Sequence, residues 1–209
     1  MFELSELLLF ATAGLLLNIT PGPDMIYCAT RSVGQGKAAG VVSALGVGAG
    51  ALLHMTMAAL GLSAVLMYSA TAFQIVKLAG AVYLVYLGVR MILNGRNTGT
   101  LKKLPDSGLW RIFRQGAVTN ILNPKVALFF LSFLPQFAHP EKGSVALQII
   151  VLGLIFNFTG TTVNVIVGLL FGYIGGWLEG KPAFWKAQRW VSGSVIAALG
   201  TSLALSDRR

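Results

Sequence analysis

The sequence predicts an all-α integral membrane fold of six transmembrane helices, arranged as two inverted three-helix repeats with broken first and fourth helices. Three observations carry this. Of the 209 residues, 55% are hydrophobic and 11% charged, with mean hydropathy +0.73, whereas soluble domains carry about 25% charged residues. Apolar runs of roughly 20 residues, enough to cross a hydrocarbon core about 30 Å thick, recur six times. Two of those runs are interrupted by proline beside a charge, at Pro21-Gly22-Pro23-Asp24 and at Asn123-Pro124-Lys125.

Taken in order, the predicted spans are Leu4–Thr30 (broken near Pro21), Ala38–Met67, Phe73–Leu93, Gln115–Phe137, Val145–Tyr173 and Trp190–Leu205. The first starts Met-Phe-Glu-Leu-Ser-Glu, acidic and without a small-x-small cleavage site, so it reads as an uncleaved span rather than a signal peptide. The second and fifth are long enough to tilt, kink or extend past the bilayer. Ahead of the fourth, Leu109–Arg114 is expected to lie along the membrane surface. Little chain is left over, which makes residues 1–209 one transmembrane domain, with repeat 1 at about 1–95 and repeat 2 at about 109–209.

Orientation follows from the basic residues. Of 16 lysines and arginines, most sit in the first, third and fifth loops: Arg31 and Lys37; Arg90, Arg96, Lys102, Lys103, Arg111 and Arg114; Lys181, Lys186 and Arg189. The other side holds Lys142, Arg208 and Arg209, and Lys77 and Lys125 fall within spans. The positive-inside rule therefore places both termini outside. Trp110, Trp177, Trp185 and Trp190 all lie near the basic loops, as an inner interfacial belt would. The net charge of +9 is thus a topology signal, and no nucleic-acid partner is expected. The single cysteine, Cys28, excludes an internal disulfide and a cysteine metal cluster and is expected to lie in a span as a small hydrophobe.

The halves echo one another. Asn18-Ile19-Thr20-Pro21 in the first span is matched by Asn120-Ile121-Leu122-Asn123-Pro124 in the fourth, Gly46 and Gly61 by Gly153 and Gly168, and Lys77 with Gly88 more loosely by Arg189 with Gly200. Three spans per half force opposite orientations, the arrangement in which paired broken helices mark the site of a secondary transporter.

Asp24 is the one acid of seven that falls inside a long apolar stretch. A carboxylate at membrane depth costs a few kcal/mol at least and is by default a functional-site hypothesis. The prolines beside it remove backbone donors and leave unpaired carbonyls at the same depth. Asp24 can be the cap of a helix starting at Met25, attract an ammonium group, or take up a proton. Lys125 is its cationic counterpart at the second break. The two suit the poles of a zwitterion, or form an ion pair that only neutralises two costly charges. Pro21, Gly22, Pro23, Asn120, Asn123 and Pro124 complete the candidate site. Lys77, near the start of its span, is expected to snorkel. His54 reads as a hydrogen-bonded residue between helices or as a proton relay. Asn18, Asn120, Asn157 and Asn164 are expected to bridge helices rather than line a cavity, and Gly46, Gly48 and Gly50 to allow close helix approach rather than bind a nucleotide. One intramembrane acid and scattered methionines supply no metal site. A lone carboxylate and separated histidines supply neither an aspartyl nor a zinc protease.

The break at 21–24, the run from Lys77 through Gly80, Tyr83 and Tyr86 to Gly88, and the stretch from Gly116 through Asn120-Ile-Leu-Asn123-Pro124-Lys125 to Phe133-Leu134-Pro135-Gln136-Phe137 together resemble the LysE/RhtB family of bacterial amino-acid exporters. The resemblance implies a six-span inner-membrane efflux carrier driven by the proton gradient, closer to the homoserine/threonine branch and its neutral substrates. It implies no cofactor. The partners it implies are the amino-acid substrate, protons and membrane lipids, and it is compatible with a homodimer. The family's Pro-Gly-Pro and Asn-Pro-Lys signatures fall on Pro21, Gly22, Pro23, Asn123, Pro124 and Lys125.

Overall fold

Proline placement divides the chain before any tertiary contact is considered. The computed structural model describes residues 2–62, 70–93, 106–178 and 181–205. Among them are eight α-helices and no strand: α1 (Leu4–Ile19), α2 (Pro23–Gln35), α3 (Lys37–Met57), α4 (Ala70–Leu93), α5 (Leu109–Ile121), α6 (Pro124–Leu128), α7 (Val145–Leu178) and α8 (Pro182–Leu205). Helix α3 runs on through a π-helical turn, Ala58–Leu62. Helix α6 continues through a second, Phe129–Phe133, and a 3-10 turn, Leu134–Phe137.

Both expected breaks are present, with bends of 49° between α1 and α2 and 50° between α5 and the α6 segment. Each has the same local cause. Thr20, restricted by the proline after it, is extended (φ −66°, ψ 115°), and α2 restarts with Pro23 in its first turn, where a missing N–H costs nothing. At the second break Asn123 caps α6, its side chain accepting from the Lys125 amide, and Pro124 again opens the helix.

Among the described residues two helices are by themselves long and apolar enough to cross a membrane, Lys37–Gly61 and Val145–Ile174, and the count rises to four if each bent pair is one span. Helices α4 and α8 lie against each other. Their approach depends on small residues: a side chain at Gly88 would meet Ala197, and one at Gly200 would meet Leu84. Helix α3 contacts both α5 and α7. Gly50 admits Ala117 and Asn120 of α5, and Gly40 lies against Gly168 of α7. The interior is aromatic where α1, α6 and α7 meet. Phe129 stacks on Phe156 at 4.1 Å and on Phe133 at 5.2 Å, with Phe10 and Phe137 edge-on at 5.3 Å.

Several expectations change. Leu109–Arg114 is not a separate surface helix but the first turns of α5, and its Ile112 is fully buried. Arg31 is not in a loop, because α2 continues to Gln35 and leaves Arg31 only 2% exposed. Gly61 and Gly168 are not equivalent in their surroundings, since a side chain at Gly61 would meet nothing within 4 Å. Cys28 is buried with Ala44 and Val47, as expected. The end of the second predicted span at Met67, Arg96, Lys102, Lys103, Glu179, Asp207, Arg208 and Arg209 lie outside the described residues.

Candidate functional site

A proline inside a helical path strands the carbonyl four residues before it. Pro21 therefore leaves Leu17 without its usual donor, although the Thr20 amide turns to it at 3.1 Å, and the turn that follows strands Thr20. Lys125 reaches across from the second break and donates to both, 3.1 Å to the Leu17 oxygen and 2.8 Å to the Thr20 oxygen. Its ammonium thus sits at the carbonyl end of α1, where the helix dipole favours a cation. The approach passes Gly22, where a Cβ would stand 3.3 Å from the lysine Nζ. Pro124 strands the Asn120 carbonyl by the same rule. That oxygen is met by the Asn123 amide at 2.8 Å and by His54 Nε2 at 3.1 Å. A carbonyl only accepts, so Nε2 carries the hydrogen. His54 also stacks on Phe130.

Asp24 is 6% exposed, and no other acidic residue among the described ones is buried. Its Oδ2 accepts from Asn120 Nδ2 at 2.8 Å and Asn123 Nδ2 at 2.9 Å. Its Oδ1 is buried and has no hydrogen-bond partner among the described residues, and the same holds for Asn120 Oδ1. Asn123 joins the two halves of the site, accepting from the Lys125 amide through Oδ1 while donating to Asp24 through Nδ2.

The two breaks do come together, but not as an ion pair. No salt bridge within 4.0 Å joins Asp24 to Lys125 among the described residues. The lysine serves carbonyls and the aspartate is held by amides. Nor does Asp24 cap α2, because the cap position is Gly22 and Asp24 lies inside the first turn. Lys77 does not reach open surface to snorkel; it is 4% exposed. Asn18 bridges α1 to α7 through Phe156 O and Thr159, each at 3.1 Å. Asn157 accepts instead from Thr161 of its own helix, and Asn164 is buried.

Two further polar clusters lie at the ends of the α1–α2 path. At the start of α1, Glu6 accepts from Lys142 at 2.8 Å and lies 3.3 Å from His139, which is 3.4 Å from Glu141. Gln148, fully buried, holds the backbone of this loop through His139 N, His139 O and Gly143 O. The Glu6 carboxylate holds the Lys142 ammonium above the usual lysine range. At the far end of α2, Arg31 donates to Gln35 at 2.5 Å and to Gln115 of α5 at 2.6 Å, and Tyr27 donates to Ile112 O at 2.8 Å. A cavity of about 660 Å³ opens beside it, lined by Gly34, Gln35, Asp106, Ser107 and Gly108. Sequence reading missed both clusters. Glu6 and Lys142 are 136 residues apart, and Gln35, Gln115 and Gln148 carry no charge or break to single them out. For the second cluster, Tyr27, Arg31 and Gln35 at four-residue spacing on α2 were the available signal.

The chain matches the family described as LysE type translocator over residues 15–207. It is 31% identical over 197 residues to a homoserine/homoserine lactone efflux protein of Salmonella typhimurium, covering 90% of this chain and 91% of that one. A homoserine/homoserine lactone efflux protein of Salmonella typhi is 30% identical over the same share of each chain. An uncharacterized membrane protein, YrhP, of Bacillus subtilis is 27% identical over 96% of this chain and 99% of its own. No solved structure matches the chain. With nearly the whole sequence inside one profile, and apolar helices to match, the chain is an integral membrane protein and belongs to the LysE type translocator family.

Proposed function

We propose that this protein exports small neutral amino acids or close derivatives, of homoserine, threonine or leucine type, across the bacterial inner membrane in exchange for protons. The observation that carries the proposal is Asp24 Oδ1, a carboxylate oxygen buried at a helix break with no partner among the described residues. A proton and a substrate ammonium are alternative occupants of such an oxygen, and mutual exclusion at one atom is what antiport requires. The potential supplies about 2.3 kcal/mol per charge per 100 mV, and tenfold takes about 1.4 kcal/mol, so one proton supports more than a tenfold outward bias. Asn120 and Asn123, which hold the other oxygen of Asp24, are candidate binding groups.

Six spans in two inverted repeats fit the contacts. Helix α3 lies on α5 as α7 lies on α1 and α2, and α4 lies on α8. The two bends differ by one degree. Helix α4, at 24 residues, is about 36 Å long. In this reading the termini are outside and one half rocks on the other. The Glu6–Lys142 cluster and the phenylalanines near Phe10 close the outer path, and the Arg31–Gln115 cluster closes the inner one. Each cluster joins the first half to the second, so each must part when its side opens.

Efflux of labelled amino acids from vesicles, with and without an uncoupler, tests the reading. We expect efflux of at least one neutral amino acid that stops on uncoupling. Efflux confined to lysine, arginine or an inorganic cation would contradict the neutral-substrate reading, and efflux indifferent to the uncoupler would contradict antiport.

A further inference from the structure

Two asparagines of α7 do not take the part that buried amides usually take between membrane helices. Gly153, Asn157, Asn164 and Gly168 lie on one face of α7, at helical spacing, and that face is turned to α3. A side chain at Gly153 would meet Met55, one at Gly48 would meet Thr161 and Asn157, and Gly168 lies against Gly40. Amides on such a face ordinarily bond across to the next helix. Here α3 offers glycines at 40 and 48, which have no side chain to answer them. Asn157 takes only the Thr161 hydroxyl of its own helix, at 3.3 Å. Asn164 is 8% exposed and makes no hydrogen bond among the described residues. Buried polar groups left unmet cost free energy.

Their depth follows from the contacts of α1 and α2 with α7. Asn18 reaches Phe156 and Thr159, Val165 packs against the cluster of Cys28, Ala44 and Val47, and Ser32 donates to the Gly168 carbonyl. This register sets Thr161 and Asn164 level with the turn from Asp24 to Cys28. The seam then closes one turn further along, where Gly40, Gly168 and Ser32 meet.

We infer that Asn157 and Asn164, with Thr161 between them, are further substrate-binding residues, which meet the oxygen atoms of the solute when α3 and α7 part. This rests on the export reading, in which α3 and α7 belong to opposite halves and the halves rock. Whichever way its amide is turned, Asn164 keeps two N–H donors and an acceptor, and Asn157 keeps one end of its amide. Such groups suit a hydroxyl, which donates and accepts, or a carboxylate, which takes the N–H groups. They offer nothing to an alkyl chain.

The test uses the full-length protein in preloaded vesicles with labelled homoserine and 2-aminobutyrate, which lacks the hydroxyl, beside melting curves in detergent. Asn164→Leu keeps the branching of the side chain and removes its polarity. Its melting temperature is expected to equal or exceed that of the wild type, because an unmet amide is gone. Its homoserine efflux is expected to fall at least about fivefold, through a higher half-saturating concentration. Asn164→Ala serves as the second variant if leucine proves too large beside α3. Equal falls for both solutes assign the amide to the carboxylate, and a fall for homoserine alone assigns it to the hydroxyl. Wild-type efflux in the variants, or efflux lost only in step with melting in both, overturns the inference and leaves the export reading standing. If the wild type exports neither solute, the export reading fails and the inference falls with it.

Discussion

The two helix breaks are bent alike and used oppositely. Each owes its bend to proline, each strands a carbonyl, and each bears one charge. At the second break the charge is turned to the backbone: Lys125 donates to the Leu17 and Thr20 carbonyls at the end of α1. At the first break the charge is held by one oxygen and unfilled at the other. A buried ionisable residue in a membrane is thus not one kind of thing. Lys125 mends a backbone, and Asp24 has capacity to spare.

The largest effect expected from this contrast is on folding. Lys125→Ala removes two charge-assisted bonds, leaving Leu17 O only the Thr20 amide and stranding Thr20 O, and hydrogen bonds to charged groups are worth about 1.5–3 kcal/mol each. We expect a loss of several kcal/mol, seen as a large fall in melting temperature in detergent and in membrane yield. Asp24→Asn keeps an oxygen for the two asparagine amides and is expected to change stability by about 1 kcal/mol or less. Equal destabilisation by the two substitutions would erase the distinction.

A smaller effect is expected for Asn123→Ala, which removes the α6 cap and one Asp24 donor. A lost cap costs about 1–2 kcal/mol, and the freed carboxylate lowers efflux as well, so melting and transport should fall together. For His54→Phe the ring contact with Phe130 is kept and one bond to the Asn120 carbonyl is lost, while the Asn123 amide still serves that oxygen. The expected cost is about 0.5–1.5 kcal/mol with efflux retained. Loss of efflux in His54→Phe at unchanged melting would move His54 into the proton path.

The smallest effect belongs to the ion cluster at the end of α1. Because Glu6 raises the Lys142 ammonium, the stabilisation is fully present below the unfolded lysine value of about 10.4 and is lost as pH rises through the higher folded value. The difference in melting temperature between wild type and Lys142→Met is expected to be small and constant near neutrality and to vanish at strongly alkaline pH. A difference that grows there would contradict the pairing.

Much of this was legible in the chain itself. Proline has one backbone consequence wherever it falls, so Pro21 and Pro124 announced the breaks, and with them the stranded carbonyls. Which group would meet each carbonyl was not legible. Lys125 to Thr20 spans 105 residues, and helix contacts set by Gly50 and Gly22 decide the reach. The ion-pair reading assumed that opposite charges at two breaks must face each other. The carbonyl end of α1 competes for the lysine and wins, because its Leu17 and Thr20 oxygens lie within hydrogen-bond reach of Nζ and no Asp24 oxygen lies within 4.0 Å. Arg31 was misplaced for another reason. Charge counting treats any basic residue near a span end as loop, whereas glutamines at 35 and 115 let this one be buried.

Efflux from preloaded vesicles carrying Asp24→Asn is the most direct test of the central claim, run alongside a melting curve of the same protein. The account predicts near-wild-type melting and no efflux of the amino acid that the wild type exports. Wild-type efflux from that variant would contradict it.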